Sequence, residues 1–89
     1  MKKILLIEND HQNRISTEEI LTLANYKVSS AENGRSGFEI AKKEQPDIII
    51  APINMPGLDG FGLLRLLQKQ EWFNQTAFFL YQTTFAKMI

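Results

Sequence analysis

Runs of apolar residues along the chain predict four β-strands. The continuous apolar run at residues 4–7 is typical of a strand that is buried on both faces. An aspartate followed by three isoleucines at residues 47–50 predicts a central parallel strand, and the alternation of apolar and polar residues at 26–30 predicts an outer one. The aromatic run at residues 77–81 predicts the fourth strand.

Residues 11–24, between the first two strands, have the periodicity of a helix. The helical spacing predicts an inward face made of Thr17, Ile20, Leu21 and Ala24. Glu18 and Glu19 then lie on the solvent side. Asp10 is suited to cap the amino end of this helix, and Asn25 is suited to end it.

The chain contains two further helical segments. Ser36 is the predicted N-cap of the second helix, because a glutamate follows three residues later in the spacing of a capping box. This helix is expected to end near Gln45, since Pro46 disfavours helical backbone in the residue before it. Residues 61–70 predict the third helix, and Asp59 in the preceding loop is expected to cap it.

The alternating order of strands and helices predicts an α/β fold. Such an order implies right-handed crossovers and a parallel sheet with helices on both faces. The whole chain, residues 1–89, is assigned to one domain, because 89 residues are too few for two.

Composition and charge exclude several classes of function. Ten Lys and Arg balance ten Asp and Glu, so we expect no general attraction to nucleic acid or to anionic lipid. The chain has no cysteine, which excludes disulfides and thiolate metal sites and agrees with a reducing cytoplasm. The first apolar run is too short for a signal peptide or a membrane span. We therefore predict a soluble cytoplasmic protein that binds neither nucleic acid nor membrane.

Two motifs in this order of elements resemble the receiver (CheY-like) domain of two-component response regulators. They are KKILLIEND at residues 2–10 and PDIIIAPINMPGLDG at residues 46–60. The resemblance runs over all 89 residues and implies a flavodoxin-like, doubly wound parallel sheet. The family's strand order is 2-1-3-4-5. The order expected here is therefore 2-1-3-4, in a domain that is incomplete at its C-terminus and lacks the fifth strand and the last helix.

The resemblance also implies a phosphorylation site at the carboxyl ends of strands one and three. Receivers accept a phosphoryl group from a histidine kinase on an aspartate, with magnesium held by neighbouring acids. That aspartate falls on Pro52, whose side chain has no oxygen nucleophile and cannot form an acyl phosphate. We therefore expect no phosphoacceptor at this position and no enzymatic activity.

The family's metal-binding acids fall on Glu8 and Asn9 in this resemblance. A neutral asparagine is a weaker ligand than a carboxylate for a hard cation such as Mg²⁺. Asn54 could add its backbone carbonyl. The expected result is a weak or vestigial magnesium site at Glu8, Asn9 and Asn54, and no other cofactor.

Two further functional positions of the family also differ in this chain. The hydroxyl residue that ends the family's fourth strand falls on Gln82, although a slip of one residue would bring in one of the next two residues, Thr83 and Thr84. The family's lysine lies on the fifth strand, for which the chain has no counterpart.

Simpler interpretations stand beside these site assignments. Residues 8–10 could form only a solvated turn in which Asp10 caps the first helix. Asp47 is no substitute phosphoacceptor, because it begins its strand about 16 Å from the site. His11 is a lone histidine, and such a residue usually binds neither metal nor phosphate. Three aromatic residues of the fourth strand are interpreted as core: Phe78, Phe79 and Tyr81.

These observations favour a pseudo-receiver that acts by protein contact without phosphorylation. The expected partners are the ancestral histidine kinase and either a second copy or another protein bound at the edge of strand 77–81, whose uncharged, aromatic sequence favours strand addition. Two alternatives stay open. One is an active, magnesium-dependent phosphoacceptor that uses a non-standard residue, and the other is a truncated product without a separate role.

Overall fold

A computed structural model describes residues 1–82 of the chain. Four strands alternate with three α-helices, and a short 3₁₀ helix precedes the last strand. The elements are β1 (Lys3–Ile7), α1 (His11–Leu23), β2 (Lys27–Ala31), α2 (Gly34–Glu44), β3 (Ile48–Pro52), α3 (Gly60–Gln68), the 3₁₀ helix (Glu71–Gln75) and β4 (Ala77–Tyr81). The predicted order of elements is therefore confirmed. Thr83 and Thr84 lie outside the described residues.

The four strands form one parallel sheet in the order β2-β1-β3-β4. This is the order expected of a flavodoxin-like α/β fold, which is confirmed. Leu6 pairs with Ile50, and Pro52 pairs with Tyr81 at the end of β3. Because all the strands run the same way, the carboxyl ends of β1, β3 and β4 meet at one edge of the sheet, where such folds place their ligands.

The main core lies between the sheet and the helices α2 and α3. Its buried side chains come from alternate positions of β1 and β3 and from the inner faces of the two helices: Leu5, Ile7, Ile49, Ala51, Ala41, Leu63 and Leu67. Gly37 allows α2 to approach β1 closely, since a Cβ at this position would collide with the side chain of Ile7. The two helices thus hold β1 and β3 in fixed positions beneath the functional edge.

Helix α1 covers the other face of the sheet less completely, and its predicted inward face is partly wrong. No residue of α1 is fully buried, and Ile20 is 65% exposed. Thr17 and Leu21 are partly buried as predicted, but Ala24 is exposed, and Arg14 and Glu18 are partly buried as well. The guanidinium of Arg14 donates a hydrogen bond of 2.8 Å to the backbone carbonyl of Glu8. Because this contact is polar, the apolar periodicity of α1 does not reveal it.

The N-caps agree with the sequence at two of three helices. Asp10 accepts a hydrogen bond from the N–H of Asn13, and Asp59 accepts one from Gly62. Ser36, however, is not an N-cap, because Asn33 takes that role and accepts from the N–H of Ser36 itself. Helix α2 therefore begins three residues earlier than the capping-box pattern predicts.

The aromatic residues of β4 do not all belong to the core. Phe78 packs against the buried cluster, but Phe79 is 56% exposed, so its interpretation as a core residue is wrong. Successive residues of a strand point to opposite faces, and the face that holds Phe79 is the one opposite α2 and α3. Tyr81 is half-buried, and its hydroxyl makes the polar contacts described below.

Candidate functional site

An open cleft of about 470 Å³ lies at the carboxyl ends of β1 and β3. Its lining brings together every metal-ligand candidate of the sequence analysis and the phosphoacceptor position. The lining residues are Glu8, Asn9, Asp10, His11, Asn13, Pro52 and Asn54. The predicted juxtaposition of the two motifs is therefore found in the structure.

Pro52 is the last residue of β3 and is buried. Strand β3 lies between β1 and β4, so Pro52 is at the centre of the functional edge. The next residue, Ile53, continues the pairing by donating its N–H to the carbonyl of Tyr81 at 2.8 Å. Proline has neither a side-chain oxygen nor an N–H, so this central position offers neither a nucleophile nor a hydrogen-bond donor.

Glu8 is the buried acidic residue of the cleft, and only 8% of its surface is exposed. Both of its carboxylate oxygens accept hydrogen bonds. Oε2 accepts from the N–H of Asp10 at 2.9 Å, and Oε1 accepts from the hydroxyl of Tyr81. A buried carboxylate needs such donors, because burial without them is costly.

Tyr81 contributes the hydroxyl group of the site. Its oxygen is bonded to the carboxylate of Glu8 and also lies 3.1 Å from the carbonyl oxygen of Ile7. Burial raises the pKa of the Tyr81 phenol, and its hydrogen bond to Glu8 and the charge of that carboxylate raise the pKa further. The phenol therefore stays protonated and acts as a donor.

This role of Tyr81 was not predicted from the sequence, in which the family's hydroxyl position falls on Gln82. Gln82 follows β4 directly and is exposed. Tyr81 and Glu8 are 73 residues apart, so no local periodicity connects them. The available signal was that Tyr81 ends its strand beside the expected site and carries a polar tip, which a buried tyrosine usually pairs with an acceptor.

The other candidate residues occupy different parts of the site. Asn9 and Asn54 are exposed in the cleft. His11 is exposed too, and its Nδ1 lies 3.1 Å from a guanidinium nitrogen of Arg14, which donates. Asp47 lies just before β3, where its carboxylate accepts from the N–H of Lys3 at 2.8 Å, so it is at the opposite end of that strand from Pro52.

This set of side chains fits a magnesium ion poorly. Mg²⁺ prefers carboxylate oxygens in a strict octahedral arrangement. The two acids that line the cleft are already engaged, Glu8 with Tyr81 and Asp10 as the cap of α1. Among residues 1–82, no three His, Cys, Asp or Glu side chains are grouped so that they could hold a metal ion.

The sequence profile of the response regulator receiver domain matches residues 4–86. The chain belongs to this family. Receiver domains are modules of two-component signalling, so the coarse function expected from the two motifs is confirmed. Within residues 1–82 of this receiver domain, no helix has the length and apolar character needed to cross a membrane.

Several characterised proteins resemble this receiver domain in sequence. Transcriptional regulatory protein AfsQ1 of Streptomyces coelicolor is 32% identical over 71 residues, which cover 80% of this chain and 32% of that protein. Protein PilH of Pseudomonas aeruginosa is 35% identical over 69 residues, which cover 78% of this chain and 57% of PilH. The chain thus spans between about a third and somewhat over half of the length of these two relatives.

Solved receiver structures agree with the fold. Vibrio cholerae chemotaxis protein CheY4 matches with a TM-score of 0.86 at 26% identity, over 99% of this chain and 76% of that one. The receiver domain of sensor histidine kinase PA1611 from Pseudomonas aeruginosa matches with a TM-score of 0.83 at 25% identity, over 89% of this chain and 65% of that one. The latter structure has a magnesium ion coordinated in its active-site cleft.

Proposed function

We propose that this receiver domain is a pseudo-receiver, a signalling module that acts by protein contact and is not phosphorylated at its functional edge. The observation that carries the proposal is the buried Pro52 at the end of β3. In the family resemblance this is the position of the phosphoacceptor aspartate. A proline there cannot form the acyl phosphate bond.

The surroundings of Pro52 support the same proposal. In family members that are phosphorylated, the aspartate accepts the phosphoryl group from a histidine kinase beside a magnesium ion held by neighbouring acids. Here the one buried carboxylate, Glu8, is bonded to Tyr81 and to the N–H of Asp10. Asn9 and Asn54 are neutral, and the second acid of the cleft, Asp10, is engaged as the cap of α1, so no free carboxylate is left there for a divalent cation.

Two exposed apolar features suggest how the module makes contact with other proteins. Helix α1 presents Ile15, Ile20 and Leu23, which are 41%, 65% and 87% exposed. Within residues 1–82, β4 pairs only with β3, so its outer edge can accept another strand. We propose that a second copy or another protein binds at β4, and a histidine kinase is the partner class that the family suggests.

Intact-mass measurement after incubation with acetyl phosphate and Mg²⁺ tests the absence of phosphorylation. The mass is expected to stay unchanged, while a receiver that keeps the aspartate should gain one phosphoryl group under the same conditions. Tryptophan fluorescence is a poor alternative readout, because Trp72 lies beside Pro46 and Asp47 at the opposite end of β3. A phosphoryl group located by peptide mapping on any residue of the wild-type chain would overturn the proposal in favour of a non-standard phosphoacceptor.

A further inference from the structure

We propose that Tyr81 blocks the cation site of this receiver domain: its hydroxyl occupies the oxygen of Glu8 that a divalent cation would otherwise bind. The proposal rests on the pseudo-receiver function and explains how the cleft is closed to metal. It predicts that restoring acids around Pro52 is insufficient for tight Mg²⁺ binding while the Tyr81 hydroxyl remains.

The hydrogen bond between Tyr81 and Glu8 crosses the functional edge. Tyr81 ends β4 and Glu8 follows β1, while β3 with Pro52 at its end runs between these two strands. The tyrosine side chain reaches Glu8 along the face of the sheet that carries α1, where it lies with Thr17 and Ile50. A cation that binds Glu8 from the cleft would therefore compete with this hydroxyl for the same carboxylate.

The contact is strong enough to compete with a metal ion. Its acceptor is a carboxylate, and hydrogen bonds to ionised groups are roughly twice as strong as neutral ones. The same hydroxyl lies 3.1 Å from the carbonyl oxygen of Ile7, so its single proton is shared between that carbonyl and Glu8. A cation must break this contact, because Mg²⁺ binds carboxylate oxygen at about 2.0–2.1 Å and leaves no room for a phenol on the same side.

The other carboxylate oxygen of Glu8, Oε2, is also occupied by a hydrogen bond. Oε2 accepts the N–H of Asp10, a residue fixed as the cap of α1 through its bond to Asn13. Glu8 itself is 8% exposed, so it cannot turn outward to meet a cation in solvent without leaving its buried position. Tyr81 is thus the partner of Glu8 that a single substitution can remove without disturbing a helix cap.

Calorimetric titration with Mg²⁺ alone tests the proposal in two variants of the full chain. The first variant, P52D/N9D, restores two carboxylates beside Glu8, and the second, P52D/N9D/Y81F, also removes the hydroxyl. We expect the triple variant to bind Mg²⁺ at least about tenfold more tightly, the factor that corresponds to losing one hydrogen bond to a charged group. Adding E8Q to the triple variant should abolish the gain, since the gain operates through that carboxylate.

The matched control is P52D/N9D/Y26F, which removes the hydroxyl of the chain's only other tyrosine. Tyr26 precedes β2 at the opposite end of the sheet, so this control should bind Mg²⁺ like P52D/N9D. Equal affinity with and without the Tyr81 hydroxyl would overturn the proposal, and so would no binding in the triple variant or an equal gain in the Tyr26 control. If circular dichroism shows that the triple variant is unfolded, P52D and P52D/Y81F make the same comparison with fewer changes.

The result of this titration is independent of the result of the phosphorylation experiment. It uses the metal alone, and its outcome does not depend on whether the wild-type chain accepts a phosphoryl group at another residue. A phosphorylated wild-type chain would overturn the pseudo-receiver proposal, whereas equal Mg²⁺ affinities would overturn only the role of Tyr81.

Discussion

Tyr81 lies directly opposite Pro52 in the parallel pairing of β3 and β4, and its hydroxyl reaches past Pro52 to the carboxylate of Glu8. Pro52, which has no polar side-chain atoms, therefore lies between a tyrosine hydroxyl and a carboxylate that are hydrogen-bonded to each other. This hydrogen bond joins the ends of β1 and β4 on either side of Pro52. The stability of the fold should depend on that bond.

Tyr81→Phe should lower the free energy of unfolding by about 1–3 kcal/mol, because it leaves an oxygen of the buried Glu8 without its donor. Urea denaturation at neutral pH measures the change. Tyr26→Phe is the matched control and should change stability by less than about 0.5 kcal/mol, because the Tyr26 hydroxyl makes no hydrogen bond among the contacts of residues 1–82. Equal effects of the two substitutions would show that the hydroxyl contact contributes no net stability.

The difference in stability between the wild type and Tyr81→Phe should also depend on pH. Folding raises the pKa of Tyr81 through burial and through its bond to Glu8. A group with a raised pKa stabilises the fold below its unfolded value, near pH 10 for tyrosine, and loses this contribution as the pH rises further. Urea denaturation at about pH 8 and pH 11 should therefore show a smaller difference at the higher pH. A difference that stays constant would contradict the assigned burial of the phenol.

Pro52→Asp should destabilise the metal-free protein by about 1–3 kcal/mol, because the new carboxylate is buried beside Glu8 without a partner of its own. The control is Pro56→Asp, the same change at an exposed loop position of the same motif. Both variants lose the rigidity of proline, so the difference between their unfolding free energies isolates the cost of burial. Equal stabilities would mean that water reaches position 52.

Local sequence signals predicted the elements well but could not predict contacts between distant elements. The aromatic run gave the bounds of β4 correctly, and the acids before α1 and α3 gave two caps. Each of these signals depends on neighbours within a few residues. The hydrogen bonds of Tyr81 and Arg14 to Glu8 depend instead on how strands and helices pack. The position of the family's hydroxyl could be assigned only to within one residue, and the structure brings a different hydroxyl to the site.

The caps of α2 offer a direct comparison between the sequence pattern and the structure. Asn33→Ala should lower the free energy of unfolding by about 1 kcal/mol, because Asn33 accepts the N–H of Ser36 at the start of the helix. Ser36→Ala should be nearly neutral, since Ser36 is exposed and its side chain makes no hydrogen bond among the contacts of residues 1–82. Thermal denaturation of both variants measures the difference. A larger loss of stability in Ser36→Ala than in Asn33→Ala would show that Ser36 is the N-cap.

A substitution of Phe79 tests whether the protein associates through β4. Phe79 is 56% exposed on an edge strand, and a lysine there adds a charge of the kind that protects edge strands from pairing. If a second copy binds at β4, light scattering over a dilution series should show that Phe79→Lys dissociates at a higher protein concentration than the wild type.

The matched control for that substitution is Phe61→Lys. Phe61 is 49% exposed on α3, so the change removes a similar aromatic surface and adds the same charge away from the β4 edge. It should leave the dissociation midpoint unchanged if contact occurs at β4. A wild-type chain that stays monomeric at all micromolar concentrations would rule out self-association at this edge and leave a different protein as its partner. Phe79 and Phe61 have similar exposure, so only a specific interface at β4 should make their substitutions differ. An equal shift of the dissociation midpoint in both variants would therefore indicate a general effect of the added charge.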